Sequence, residues 1–68
     1  MKYERIRELR EDRDITQQKI ADFLHVTQKT YSRYENGERN IPTEILIQLA
    51  DYHHVSIDYL VGRTDYKS

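Results

Sequence analysis

The chain has no cysteine and no tryptophan, one proline and two glycines among its 68 residues. Without cysteine there is no disulfide framework and no thiolate zinc site, which fits a reducing compartment. No apolar run approaches the roughly 20 residues needed to cross a bilayer. The opening "MKYERIRELR" is charged where a signal peptide would be apolar. A cytoplasmic protein without membrane contact is the expectation. A chain of this length fits one domain, 1–68, and buries only about 60% of its unfolded surface. That leaves no interior for a large enclosed active site and makes self-association a natural source of stability.

Charge of either sign is plentiful but balanced. Eleven Lys and Arg against twelve Asp and Glu give a net charge of −1, whereas the usual cue for a nucleic-acid binder is a basic domain. Residues 1–14 are neutral overall, residues 15–41 carry +1 and residues 42–68 carry −2. The middle third is the least acidic.

What is present is helical periodicity. Ile6 and Leu9 mark a first helix over 2–13, with Tyr3 and Arg10 near the same face. Ile15-Thr16 opens a second. Threonine caps it, and Ile15 can staple onto Ile20. Ile20, Ala21 and Leu24 form its inward stripe, with Phe23 beside them. Val26-Thr27 repeats the device for a third helix that runs to about Glu35 and stops at "NG". A fourth spans 42–53, with Leu46, Leu49, Ala50 and His53 on one face and Ile45 flanking. Val55-Ser56 opens a short fifth, 56–61, ended by Gly62. Residues 62–68 are expected to be a flexible tail. The fold class is therefore all-α, with five helices.

The second and third helices are joined so tightly that they must cross steeply, as in a helix-turn-helix. Ala21 is the small residue such a joint requires, and His25 is the candidate for a left-handed backbone in the turn. Once Tyr31 and Tyr34 face inward, Thr27, Gln28, Ser32 and Asn36 lie along one outer edge, with Lys29 and Arg33 beside them. On its own this set describes a solvated helix face. Inside the helix-turn-helix spacing it describes groups that read base edges. Lys and Arg bond guanine O6 and N7, and Gln bonds adenine in a two-pronged way.

Residues 6–62 resemble the Cro/repressor-type helix-turn-helix family, also called the XRE family. The stretches that carry the likeness are "LREDRDITQQKIADFLHVTQKTYSRYENGERNIP" and "LADYHHVSIDYLVGRT". The resemblance implies a lambda-repressor-like domain of prokaryotic or phage type, associated with the nucleoid, that binds a double-stranded operator as a homodimer. It implies base contacts from Gln28, Lys29, Ser32 and Arg33. Backbone contacts would come from Gln17, Thr27, Asn36, Arg39 and Asn40, with Gln17 also bracing the third helix. Arg10 and Glu35 would form a structural ion pair. His25 stands where the family has glycine, and His53 where it has an aliphatic or aromatic residue.

The remaining features have plainer readings. His53 and His54 point about 100° apart on a helix, so they do not chelate together, and His53 is expected in the core. The six tyrosines are expected to pack rather than to stack on single strands. No acid, base and nucleophile are set together, so neither an enzyme, a metal nor a cofactor is expected. Ile57, Tyr59 and Val61 exceed what a six-residue helix can bury on its own domain, and they are expected to form a dimer contact. The function read here is a dimeric transcriptional repressor. The alternatives are an antitoxin with a toxin or other protein antagonist as partner, and a protein-interaction module of the same fold.

Overall fold

Three tripeptides, Asp14-Ile15-Thr16, His25-Val26-Thr27 and His54-Val55-Ser56, set where the chain stops one helix and starts the next. In the computed structural model, which describes residues 2–67, the helices are α1 (Glu4–Asp12), α2 (Gln17–Leu24), α3 (Gln28–Asn36), α4 (Thr43–His53) and α5 (Ile57–Leu60). Each tripeptide begins with a left-handed residue: Asp14 at φ 54°, His25 at 60° and His54 at 58°. The next residue donates its amide across the helix end, from Ile15 to Arg10 O, Val26 to Ala21 O and Val55 to Ala50 O, each at 3.0 Å. Together with a bond from the left-handed residue itself to the carbonyl three residues back, this closes the helix with a Schellman motif. The third residue caps the helix that follows. Thr16 accepts from Lys19 N at 3.1 Å, Thr27 from Thr30 N at 3.1 Å and Ser56 from Tyr59 N at 3.0 Å.

Glycine serves this purpose at the other two helix ends. Gly37 and Gly62 lie at φ 76° and 83°, and the following amides reach Arg33 O at 3.0 Å and Asp58 O at 2.8 Å. At Gly37 a side chain would also collide with the chain start, because a Cβ there would lie 2.8 Å from Lys2 Cβ. The middle residues of the tripeptides pack inward. Val55 belongs to the core, and Ile15 and Val26 lie against it. One apolar side chain thus seals one helix end and holds the start of the next, which keeps the connectors short.

The core is built from Ile6 and Leu9 of α1, Ile20, Ala21 and Leu24 of α2, Tyr31 and Tyr34 of α3, Ile45, Leu49 and Ala50 of α4, and Leu60 of α5. One expectation about an apolar face changes. On α4 it is Ile45 that is buried, whereas Leu46 is only partly covered. Leu49, Ala50 and His53 stay buried as expected, so the change is confined to the first turn of α4. Phe23 is 45% exposed and tilts against Tyr52, with the ring centroids 4.7 Å apart.

Residues 63–67 lie back against the body. Arg5 Nη1 donates to the Tyr59 carbonyl at 2.9 Å and to the Thr64 carbonyl. Arg5 Nη2 meets Asp65 Oδ1 at 2.6 Å, and Ser56 N donates to Lys67 O at 2.6 Å. The Arg5 guanidinium also sits 4.2 Å over the Tyr59 ring.

His53 is wholly buried. Arg13 Nη1 donates to the His53 carbonyl at 2.9 Å and lies 3.3 Å from His53 Nδ1. Arginine offers only donors, so Nδ1 accepts and the ring proton belongs on Nε2, which has no partner among the described residues. Burial, and then the Arg13 charge, lower the His53 pKa from 6.5 to about 4. Between those values the unfolded chain binds a proton that the folded chain does not. This contribution to stability is therefore complete above pH 6.5 and is lost as the pH falls through about 4. Urea unfolding at pH 7, 5.5 and 4 should show a decline on the order of 3 kcal/mol over this window. His53→Leu should flatten it.

Candidate nucleic-acid interface

Glu35 is the second polar residue sealed in the interior, 1% exposed at the end of α3. A lone buried carboxylate would be costly, and this one is met from every side. Arg10 of α1 holds it with two bonds, Nε to Oε2 at 2.6 Å and Nη2 to Oε1 at 3.2 Å. Arg7 Nε reaches Oε1 at 3.4 Å, Gln17 Nε2 reaches Oε1 at 3.2 Å, and the buried Tyr31 hydroxyl donates to Oε2. Arg10 Nη1 is used as well, on the Ile15 carbonyl at 2.9 Å.

The electrostatics follow from these contacts. Burial pushes the Glu35 carboxyl up, but the hydrogen bonds from Arg10, Tyr31 and Gln17 and the Arg10 charge outweigh it and hold the group below its ordinary value. Tyr31 is pushed well up by burial and by its bond to the carboxylate. Arg10 is raised mainly by its hydrogen bond to Glu35. Glu35 is thus an anion that can only accept, and its partners are fixed as donors.

That fixed polarity runs outward to the surface of α3. Because Gln17 must turn its Nε2 toward Glu35, its Oε1 faces the other way, where Gln28 Nε2 donates to it at 3.2 Å. Gln28 is left with its Oε1 and its second amide hydrogen. On the other flank, Arg7 Nη2 donates to Asn36 Oδ1 at 2.7 Å. The first and last residues of α3 are therefore both tied to the same buried carboxylate. Between them, Lys29 and Arg33 are exposed and Ser32 is half-buried. Tyr31 and Tyr34 anchor the opposite face.

The other singled-out residues lie apart from this network. Thr27 is engaged in capping, and its hydroxyl also meets Thr30 Oγ1 at 3.0 Å. Arg39 and Asn40 are exposed in the connector after α3. On α5, Ile57 is 38% exposed, while Tyr59, beneath Arg5, and Val61, just after the helix, are partly covered. No group of three or more His, Cys, Asp or Glu is placed to hold a metal ion among the described residues. No helix among them is long and apolar enough to cross a membrane.

The profile of the Helix-turn-helix family matches residues 6–60. The chain belongs to the helix-turn-helix family of Cro/repressor type. Its relatives in that family include the HTH-type transcriptional regulator AnsR of Bacillus subtilis, 37% identical over 98% of this chain and 58% of AnsR. The HTH-type transcriptional regulator ImmR of the same organism is 33% identical over 90% of this chain and 48% of ImmR. The cryptic phage CTXphi transcriptional repressor RstR of Vibrio cholerae O1 is 39% identical over 88% of this chain and 54% of RstR. The chain spans about half the length of these curated relatives. No solved structure matches it significantly.

Arg7 is the residue of this Cro/repressor-type site that the sequence did not single out. It lies three positions before Arg10, so both arginines share one side of α1. That spacing was the available signal, but it was masked by the alternating charges around it. In this chain the carboxylate is the group whose loss matters most. Glu35→Gln leaves the largely covered Arg10 without its counter-charge, and breaking a buried pair costs up to about 3–5 kcal/mol. Circular dichroism should show this variant largely unfolded at 25 °C. A cooperative transition matching the wild type would show that the carboxylate does not hold the helices.

Proposed function

We propose that the chain is a sequence-specific double-stranded-DNA-binding transcriptional regulator, acting in the cytoplasm at the nucleoid. The observation that carries this reading is the directed chain Glu35–Gln17–Gln28. It leaves Gln28 with one acceptor and one donor free at the start of an exposed helix face, the pair that adenine N6 and N7 require. Lys29 and Arg33 on the same face suit guanine, and Ser32 lies beside them. A recognition helix enters the major groove with its N-terminal residues against base edges. Gln17, Thr27, Asn36, Arg39 and Asn40 surround that face and suit phosphate oxygens. The names of AnsR, ImmR and RstR support regulation, and that of RstR supports repression.

The finer reading is a homodimeric repressor on a near-palindromic operator. Ile57 of α5 and Val61 just after it are left open to a second subunit, with Tyr59 at the edge. A two-fold dimer would set the two recognition helices about 34 Å apart, one turn of duplex. Operator occupancy would then block the polymerase.

Arg33→Ala should cost about 1–3 kcal/mol in operator binding and relax the preference at particular base pairs. Binding by the unaltered chain should weaken steeply with added salt, as released counterions require. Unchanged affinity and preference in the Arg33 variant would refute the recognition face. In light scattering, Val61→Glu should shift mass toward monomer. A monomeric wild type at high concentration, with or without duplex, would refute the dimer.

A further inference from the structure

The buried carboxylate has one guanidinium more than it needs. Arg10 already gives Glu35 a two-bond partner at 2.6 and 3.2 Å, and Arg7 adds a second positive charge at 3.4 Å. Arg10 and Arg7 thus bring two cations to one anion, between Gln17 at the start of α2 and Asn36 at the end of α3. Arg7 is also the only one of the two bonded to Asn36, at 2.7 Å.

Arginine has no acceptor, so the Asn36 atom it meets is the oxygen. The Asn36 amide NH2, two donors and no acceptor, is thereby turned away from α1. Without Arg7 the side-chain amide could rotate and present its oxygen, which repels a phosphate. Lys2 and Arg7 share their surroundings with Glu4 and Glu8. The local charge there is balanced, which argues against a free anion site at Arg7 itself and for an effect exerted through Asn36.

We propose that Arg7 is a positioning residue for a DNA-backbone contact. It locks Asn36 as a pure donor toward a phosphate oxygen and keeps a guanidinium beside it. The inference rests on the DNA-binding reading above. In this role α1, outside the helix-turn-helix, contributes to affinity for every duplex and to preference for none.

The test measures affinity for an operator duplex and for an unrelated duplex across a salt series, using the wild type, Arg7→Ala, Asn36→Ala, the double variant and Arg7→Lys. Thermal unfolding checks that each is folded. Arg7→Ala should weaken both duplexes alike, by roughly three- to tenfold, and make the salt dependence shallower by up to one phosphate equivalent. Asn36→Ala should cost several-fold in the wild type and almost nothing once Arg7 is gone. Arg7→Lys should restore the salt dependence but only part of the affinity, because an ammonium lacks the fork that spans Glu35 and Asn36. It also keeps the test available if the alanine variant does not fold. Independent, multiplying costs for Arg7→Ala and Asn36→Ala, or an unchanged salt dependence in Arg7→Ala, would overturn the positioning role while leaving DNA binding intact. A wild type that binds neither duplex would overturn both.

Discussion

A carboxylate buried at the end of the third helix organises this molecule. Glu35 cannot be solvated where it sits, so its neighbours must supply donors and charge. They come from α1 through Arg7 and Arg10, from the start of α2 through Gln17, and from within α3 through Tyr31. Three helices are thereby tied to one point. A hydrophobic core alone is permissive about rotation and sliding. A group that needs five particular hydrogen bonds is not.

The same constraint reaches the surface. An anion imposes direction on every hydrogen bond that starts from it. Gln17 relays that direction to Gln28, and Arg7 sits between the anion and Asn36. Both ends of the exposed α3 face are therefore set before any ligand arrives. Preorganised side chains lose less entropy on binding. This matters for a short helix on a chain whose net charge is −1 and gives little long-range attraction to DNA.

Much of the architecture could be read from spacing, because Ile15-Thr16, Val26-Thr27 and Val55-Ser56 each announce a helix start. The inward turn of Tyr31 and Tyr34 followed from the helical period, and the outer face followed from that. The rest was hidden for identifiable reasons. Asp14 and His54 adopt the same left-handed turn as His25, but neither is glycine, and the leaning of Asp and His toward this region is too weak to mark a turn without the helix-turn-helix spacing that marked His25. Ile45 and Leu46 are equally apolar neighbours, and each lies one helical turn before Leu49, so spacing alone does not decide which is buried. Arg7 looked like one charge among ten in the first fourteen residues. Periodicity places it on α1, but its use depends on Glu35, which lies 28 positions away.

Selection of bound duplexes from a random pool asks whether the α3 face reads DNA with geometry set from beneath. A recurrent, near-palindromic site is expected, with half-sites centred about one helical turn apart and adenine or guanine positions whose preference relaxes when Gln28 or Arg33 is replaced by alanine. A pool that returns with no enriched sequence, while the protein is folded, would contradict that reading.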